Sequence, residues 1–591
     1  MKNPHTWRYL TVQILLALIG LSIPAQIIHL QNSAEAKAIL DAVDRYNGWD
    51  ETFLPKRGDI YDREGHLLAG NQTVYEVGVN LDALKALDAL DANARAAQEN
   101  NIASTAQEYL DMTYNEAMDK MANPPFPDTT YIVLADNVAE DKAQALMTMK
   151  TSSLYEPVGK NLNQMGFKSH FQRSYTEGSL ASNVLGRVPS QDNAGHSGVE
   201  EKYNSPLAGS SITVWVPADP ILVRDLPTPV GTTLILTFRR EVQAAIEAIL
   251  DAAVSNTGAV AGTIVVMDPK TGEILAMATS PRPNLNDLAH YGDTLSNEHP
   301  LNPAISKDYE SGSVFKIFTM AAALDKGVVT PDTTYFDTGI FMIGDVAIRN
   351  WNNTVWGLQD MTGCLQHSIN TCLAWVATKL GKEDFYSYLQ KFGIGHTTGI
   401  DLAGEAPGQI RLPTVTGSGW TPIDLGTNAF GQGLSVTPIQ MVMAASAIAN
   451  DGQMVYPHVL YATVQDGKQQ NTSPMVVASP IRADTARTLN EMLASSLENE
   501  ASKALVPGYR LAGKTGTAQI APYAANNATN ASFIGWGPFD DPKFLVYVWL
   551  EKPQTDIWGS TVAAPVFKQV VEKLIVLMGI PPDNIRLQSE P

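Results

Sequence analysis

The first long apolar stretch runs from Tyr9 to Ala34 without a charged residue, and its Val12 to Leu30 core is rich in Leu and Ile. That is enough for a membrane-spanning helix of about 20 residues. Lys2 and Arg8 precede it, which keeps the N-terminus in the cytoplasm and places the body of the chain outside. A cleavable signal peptide is the competing reading, with Ala34-Glu35-Ala36 as its cleavage site. From Asp82 to Met149, Ala, Leu, Asp and Glu recur at helical spacing, broken by Pro124-Pro125-Phe126-Pro127. Further on, Leu234 to Thr237, Ala261 to Met267 and Ile274 to Thr279 read as strands, and Arg240 to Ala252 as an amphipathic helix. Asp268-Pro269-Lys270-Thr271-Gly272 is turn chemistry between two of those strands. Ile317 to Ala323 continues a helix that stops at Lys326-Gly327, and Leu511 to Ile520 and Phe533 to Trp536 return as strands with the polar loop Tyr523 to Asn530 between them. Helices and strands mixed in this way predict an α+β fold with a mostly antiparallel sheet.

The domain expectation is a cytoplasmic tail over 1–8, an anchor over 9–31 and a non-catalytic pedestal over 32–226, with a helical subdomain at about 82–165. A catalytic domain over 227–580 and a tail over 581–591 follow. At 591 residues there is room for several cores. The pedestal stretch Pro55 to Ala69 alternates around Glu64-Gly65 and reads as a hairpin whose charged residues pair structurally. His196, among glycines, reads as a loop histidine.

The composition excludes some functions. A net charge of −20 with no basic run argues against nucleic-acid binding. Cys364 and Cys372 are the only cysteines, too few for a disulfide scaffold or a four-ligand zinc site. They are expected as small buried hydrophobes, with a disulfide across an extracytoplasmic turn as the alternative.

The chemistry concentrates at Glu310-Ser311-Gly312-Ser313-Val314-Phe315-Lys316. A serine three residues before a lysine at a helix start shares one helical face with it, where the two can serve as nucleophile and base; a surface serine and lysine on an ordinary helix is the alternative reading. The lysine works only when neutral. Burial, a second cation nearby and the helix N-terminus are the forces that lower its pKa. Because the pair sits at the helix start, Lys316→Ala is expected to cost little stability. Ser368-Ile369-Asn370 is the only Ser-x-Asn in the chain. Lys-Thr-Gly occurs twice, at Lys270 in the hairpin turn and at Lys514 in a strand of small residues where a substrate backbone can approach closely. The first is a decoy. The ordered set Ser-x-x-Lys, Ser-x-Asn and Lys-Thr-Gly is a working set for acyl transfer, found in penicillin-binding proteins and class A β-lactamases.

With these motifs the chain resembles a class B penicillin-binding protein, a monofunctional D,D-transpeptidase of septal or elongation type. Arg57-Gly58-Asp59-Ile60-Tyr61-Asp62-Arg63-Glu64-Gly65, Arg173 to Gly186 and Gly195 to Tyr203 are similar to that family's non-catalytic motifs. Gly272 to Met277, Phe430-Gly431-Gln432-Gly433 and Ala564-Pro565-Val566-Phe567 are family-like in the second domain. Ser311 and Val314 depart from the proline and threonine common there, and Leu236-Thr237-Phe238-Arg239 stands where Leu-Thr-Ile-Asp is common. None of these removes a reactive group.

The resemblance implies that Ser313 attacks the penultimate D-alanine carbonyl of a stem pentapeptide and that Lys316 takes its proton. It implies that Ser368 relays protons and Asn370 positions Lys316 and the substrate amide. Lys514, Thr515, Gly516 and Thr517 would bind the terminal carboxylate side, with the backbone N–H groups of Ser313 and Thr517 as the oxyanion hole. No metal or organic cofactor is implied. The implied partners are peptidoglycan stem peptides, β-lactams as inhibitors, a multi-pass membrane glycan polymerase and division or elongation proteins. The alternatives are a D,D-carboxypeptidase, which lets water in, a β-lactam-hydrolysing or sensing relative, and an inert scaffold of the division or elongation complex.

Overall fold

The structure, a computed structural model, describes residues 6–33, 36–37, 48–89, 93–189, 194–217, 228–287, 289–296, 298–500, 502–520 and 528–588. Lys2, the Ala34-Glu35 step of the candidate cleavage site, the boundary at Pro227 and positions 523–527 of the polar loop lie outside the described residues. The chain forms two units, Met1–Lys56 with Gly209–Gly231, and Arg57–Ala208 with Thr232–Pro591.

In the first unit, Thr6–Gln31 is one helix with its large apolar side chains exposed. Among the described residues it is the one helix long and apolar enough to cross a membrane, and it fits a single-pass anchor. Gly48–Phe53 pairs antiparallel with Ile212–Pro217 in the same unit.

The second unit opens with the expected hairpin, Ile60–Tyr61 against Leu67–Asn80. Tyr131–Ala139 and Met165–Tyr175 pair with Leu67–Asn80. The helices Ala94–Tyr109, Tyr114–Ala122 and Glu140–Ser152 contribute Ile102, Ala106, Met121 and Leu146 to one core with Val77 and Val79 of the sheet. Tyr131–Ala139 is a strand inside a stretch whose composition reads as helical, because Tyr131-Ile132-Val133-Leu134 finds a sheet edge to pair with. The hairpin also carries the sheet onward, since Ile60 and Tyr61 pair in parallel with Leu234 and Ile235.

The C-terminal part of this unit is built on a five-stranded antiparallel sheet. Its strands are β1 (Ala261–Met267), β2 (Ile274–Ser280), β3 (Ala512–Gln519), β4 (Thr529–Gly537) and β5 (Phe544–Glu551), in the order β3-β4-β5-β1-β2. Among its helices are α1 (Arg240–Thr257), α2 (Lys316–Lys326), α3 (Asn370–Leu380), α4 (Pro438–Ala449), α5 (Ala483–Asn499) and α6 (Gly559–Leu577). Ile264, Val266, Val546 and Val548 share a core with α1 and α6. Val265, Met267, Tyr547 and Trp549 face the other way, into a core with α2, α4 and α5. Helices on both faces explain why β1, β2, β4 and β5 are buried along their whole length, with little polar alternation.

Every residue of α2 from Lys316 to Leu324 is buried. A helix apolar all round belongs inside a core, and the run Ile317-Phe318-Thr319-Met320-Ala321-Ala322-Ala323 carries Lys316 in with it. Lys316 is 0% exposed, so the expectation of a cheaply replaced position at an open helix start is overturned.

Candidate active site

Three segments converge on one cleft of 390 Å³, lined by Ser313, Ser368, Asn370, Thr515 and Thr517 among others. The first is the 3-10 turn Gly312–Phe315 that leads into α2. Gly312 sits at φ +63°, and a Cβ there would lie 2.6 Å from the Thr517 carbonyl oxygen. Only glycine lets the turn carrying Ser313 press against β3 this closely. Ser313 stays partly exposed to the cleft while its neighbours Gly312 and Val314 are buried.

The second segment is the turn between the short helix Met361–Gln366 and α3. Ser368 holds φ +54°, a left-handed conformation uncommon for serine. Cys364 and Cys372 bracket this turn and are joined by a disulfide. Both are fully buried, so the expectation of two free buried thiols is corrected and the alternative holds. Lys316 Nζ donates to Ser368 Oγ at 3.0 Å, to Asn370 Oδ1 at 2.8 Å and to the Ser368 carbonyl. Among the described residues, no hydrogen bond joins Lys316 to Ser313. Asn370 Nδ2 in turn donates to the Arg349 carbonyl at 3.2 Å. Behind it, buried Asp337 accepts from Thr371 Oγ1 at 2.7 Å and from Asn350 Nδ2 at 2.8 Å, fixing the start of α3.

The third segment is β3, at the edge of the five-stranded sheet. A Cβ on Gly516 would meet Ser532 Oγ at 2.4 Å and the Ser311 carbonyl at 3.0 Å, so the strand can lie against the serine turn only with glycine there. Lys514 is buried, and its Nζ lies 3.3 Å from Thr515 Oγ1. Thr517 Oγ1 accepts from the Gly559 N–H at 2.9 Å, which ties β3 to the start of α6.

The two lysines bear on each other. Burial pushes the Lys316 ammonium far below the ordinary lysine range, and the charge of Lys514 adds to the shift. Burial also lowers Lys514, to about 8, while Glu500 at the rim partly restores it. Burial thus favours the neutral amine at Lys316, the form able to accept a proton from a serine.

Other residues at the cleft carry no motif. Trp351 and Trp558 meet with ring centroids 4.5 Å apart, and His367 stacks on Trp356 at 4.0 Å. Burial lowers the His367 pKa, which favours the neutral ring. No spacing rule singles these residues out, since each comes from a loop brought in by the fold.

The remaining sequence candidates lie elsewhere. Lys270 is in the β1–β2 turn, ion-paired with Asp541, and His196 is exposed in a loop. In the pedestal, Arg57 Nε and Arg173 Nε each donate to Glu200 at 2.7 Å, and all three residues are buried. Burial disfavours the Asp62 carboxylate, yet N–H donors from Arg240, His66 and Glu64 hold it below the usual range. Arg63 pairs with Glu273 and lies over the Tyr461 ring. The charged hairpin is thus a structural joint to the C-terminal part of the unit.

Residues 262–572 match the penicillin binding protein transpeptidase domain, and residues 52–214 the penicillin-binding protein dimerisation domain. Stage V sporulation protein D of Bacillus subtilis is 31% identical over 91% of this chain and 81% of its own. A probable peptidoglycan D,D-transpeptidase, PbpC, of Pseudomonas aeruginosa is 26% identical over 98% of this chain and 97% of its own. The crystal structure of penicillin binding protein 3 from Mycobacterium tuberculosis, complexed with aztreonam, superposes with a TM-score of 0.66 at 25% identity, covering 90% of this chain and 98% of that one.

Proposed function

The chain belongs to the penicillin-binding protein transpeptidase family, and from that premise we propose that it is a membrane-anchored peptidoglycan D,D-transpeptidase working through an acyl-enzyme on Ser313. The observation that carries this reading is the fully buried Lys316 amine, held by Ser368 and Asn370 with Lys514 near enough to lower its pKa.

Ser313 attacks the penultimate D-alanine carbonyl of a stem pentapeptide, and neutral Lys316 takes the hydroxyl proton. The oxyanion rests on the backbone N–H groups of Ser313 and Thr517. The closeness of Gly312 to Thr517 supports that pairing, and loss of one such donor costs on the order of 3 kcal/mol. Ser368, bonded to Lys316, passes the proton to the departing amine of the terminal D-alanine. Asn370 keeps Lys316 in place and bonds the substrate amide. Lys514 with Thr515 and Thr517 holds the terminal carboxylate, the open edge of β3 carries the donor peptide alongside, and Gly516 lets it approach. An amine from a second stem peptide then takes the acyl group.

β-Lactams acylate Ser313 in place of the donor. Family resemblance adds a multi-pass membrane glycan polymerase and division or elongation proteins as partners, with the catalytic part outside the cell membrane. A fluorescent penicillin tests the core of the reading: covalent labelling of the full-length protein is expected, with complete loss in Ser313→Ala. No labelling of the folded wild type sinks it.

A further inference from the structure

Resting on the reading of Ser313 as acyl carrier, we propose that Trp351 and Trp558 form a clasp over the cleft that withholds water from the acyl-enzyme and so directs the acyl group to an amine. The two indoles come from different segments of the chain. Trp351 follows Asn350, which is buried and bonded to Asp337, and stands two residues after the Arg349 carbonyl that accepts from Asn370. Trp558 immediately precedes Gly559, whose N–H donates to Thr517 Oγ1. Each ring is therefore mounted one or two residues from a group that touches a motif of the site. The rings meet at 4.5 Å with an interplanar angle of 58°, within the attractive range for aromatic pairs. Both line the cleft. Trp351 is nonetheless 49% exposed, so the contact does not follow from burial in a core.

The chemistry at stake is a partition. In both outcomes the ester bond between Ser313 Oγ and the acyl carbon breaks. With an amine, a C–N bond forms and the amine proton returns through the base to Oγ. With water, a C–O bond forms, the acid departs and the same proton return regenerates the serine. The residues named around Ser313 serve both reactions alike, so selectivity must come from which nucleophile reaches the carbonyl. An apolar pair closed over the cleft excludes solvent. A single ring contact is also weak enough to part when the second stem peptide enters.

The test uses the detergent-solubilised full chain, a thioester mimic of the donor and D-alanine as acceptor, with the hydrolysis and aminolysis products separated by chromatography. Trp351→Ala and Trp558→Ala are each expected to raise the hydrolysis-to-aminolysis ratio by about two- to tenfold, the bias one aromatic pair supplies. The double variant should exceed neither single by much, because each removes the same contact. Trp351→Phe, which keeps a ring, should stay near the wild-type ratio. An unchanged ratio in both alanine variants overturns the clasp. So does loss of acylation itself, which would make these rings binding groups. A wild type that forms no acyl-enzyme fails the serine reading instead, whatever the tryptophans do.

Discussion

Arg57 and Arg173 are buried with Glu200 between them, each at 2.7 Å from a different carboxylate oxygen. Lys316 and Lys514 are buried too, but among the described residues neither makes an ion pair. The pedestal cluster meets the cost of burial by pairing and further hydrogen bonds, such as Arg57 to Asn204 at 2.9 Å and Arg173 to the Gly58 carbonyl at 2.8 Å. In the cleft, burial instead pushes the Lys316 pKa down and favours its neutral form, which on the proposed reading serves as a base. On the proposed reading, the same physical difficulty yields a rigid joint in one place and a reactive group in the other.

The sharpest way to break this contrast is to remove Lys316. Lys316→Ala should lower the rate of penicillin acylation by at least about 10³-fold, within the range general bases supply. Ser368 Oγ and Asn370 Oδ1 lose their donor in that variant, so an added stability cost of about 1–3 kcal/mol is expected. Stopped-flow acylation and thermal unfolding on one preparation read both effects. An acylation rate within tenfold of the wild type removes Lys316 from the role of base.

Arg57→Ala should behave in the opposite manner. It leaves Glu200 with one arginine in a buried site, a loss of about 3–5 kcal/mol. The molecules that remain folded should still be labelled by penicillin at the wild-type rate. Denaturant unfolding with labelling of the folded fraction separates the two quantities. A fully folded but unlabelled variant would contradict the structural role.

How much of this contrast can be read in the sequence follows from the spacing of the partners. Ser313 and Lys316 lie on one turn and Ser368 and Asn370 on another, so local periodicity and motif order expose them. Arg57, Arg173 and Glu200 meet only through the fold, and the sequence shows each in a separate motif without saying that they touch. The depth of Lys316 was also available, in the unbroken apolar run after it, but helix-face reasoning about Ser313 and Lys316 hides it. The disulfide and the Trp351–Trp558 contact depend on loop geometry, which residue patterning does not encode.

The cleft lysines are distinguished further by pH. Lys514 stands at about 8, so its ammonium is present below that pH and lost as pH rises through it. Recognition of the substrate carboxylate should weaken above about 8, with KM for a carboxylate-bearing donor rising about tenfold per unit. A donor lacking the carboxylate should show no such limb. A KM flat from pH 7 to 10 for the carboxylate donor would mean that Lys514 does not hold it as an ammonium.

The smallest effect belongs to the other Lys-Thr-Gly. Lys270 sits in the β1–β2 turn, paired with Asp541 where the side chains are 44% and 35% exposed. Solvent screens such a pair, which is worth at most about 1 kcal/mol. Lys270→Ala should therefore leave acylation unchanged and move thermal unfolding only slightly. The identical tripeptide at Lys514 differs in being buried on an edge strand against the serine turn. A marked loss of labelling in Lys270→Ala would show that the tripeptide, and not its placement, carries the function.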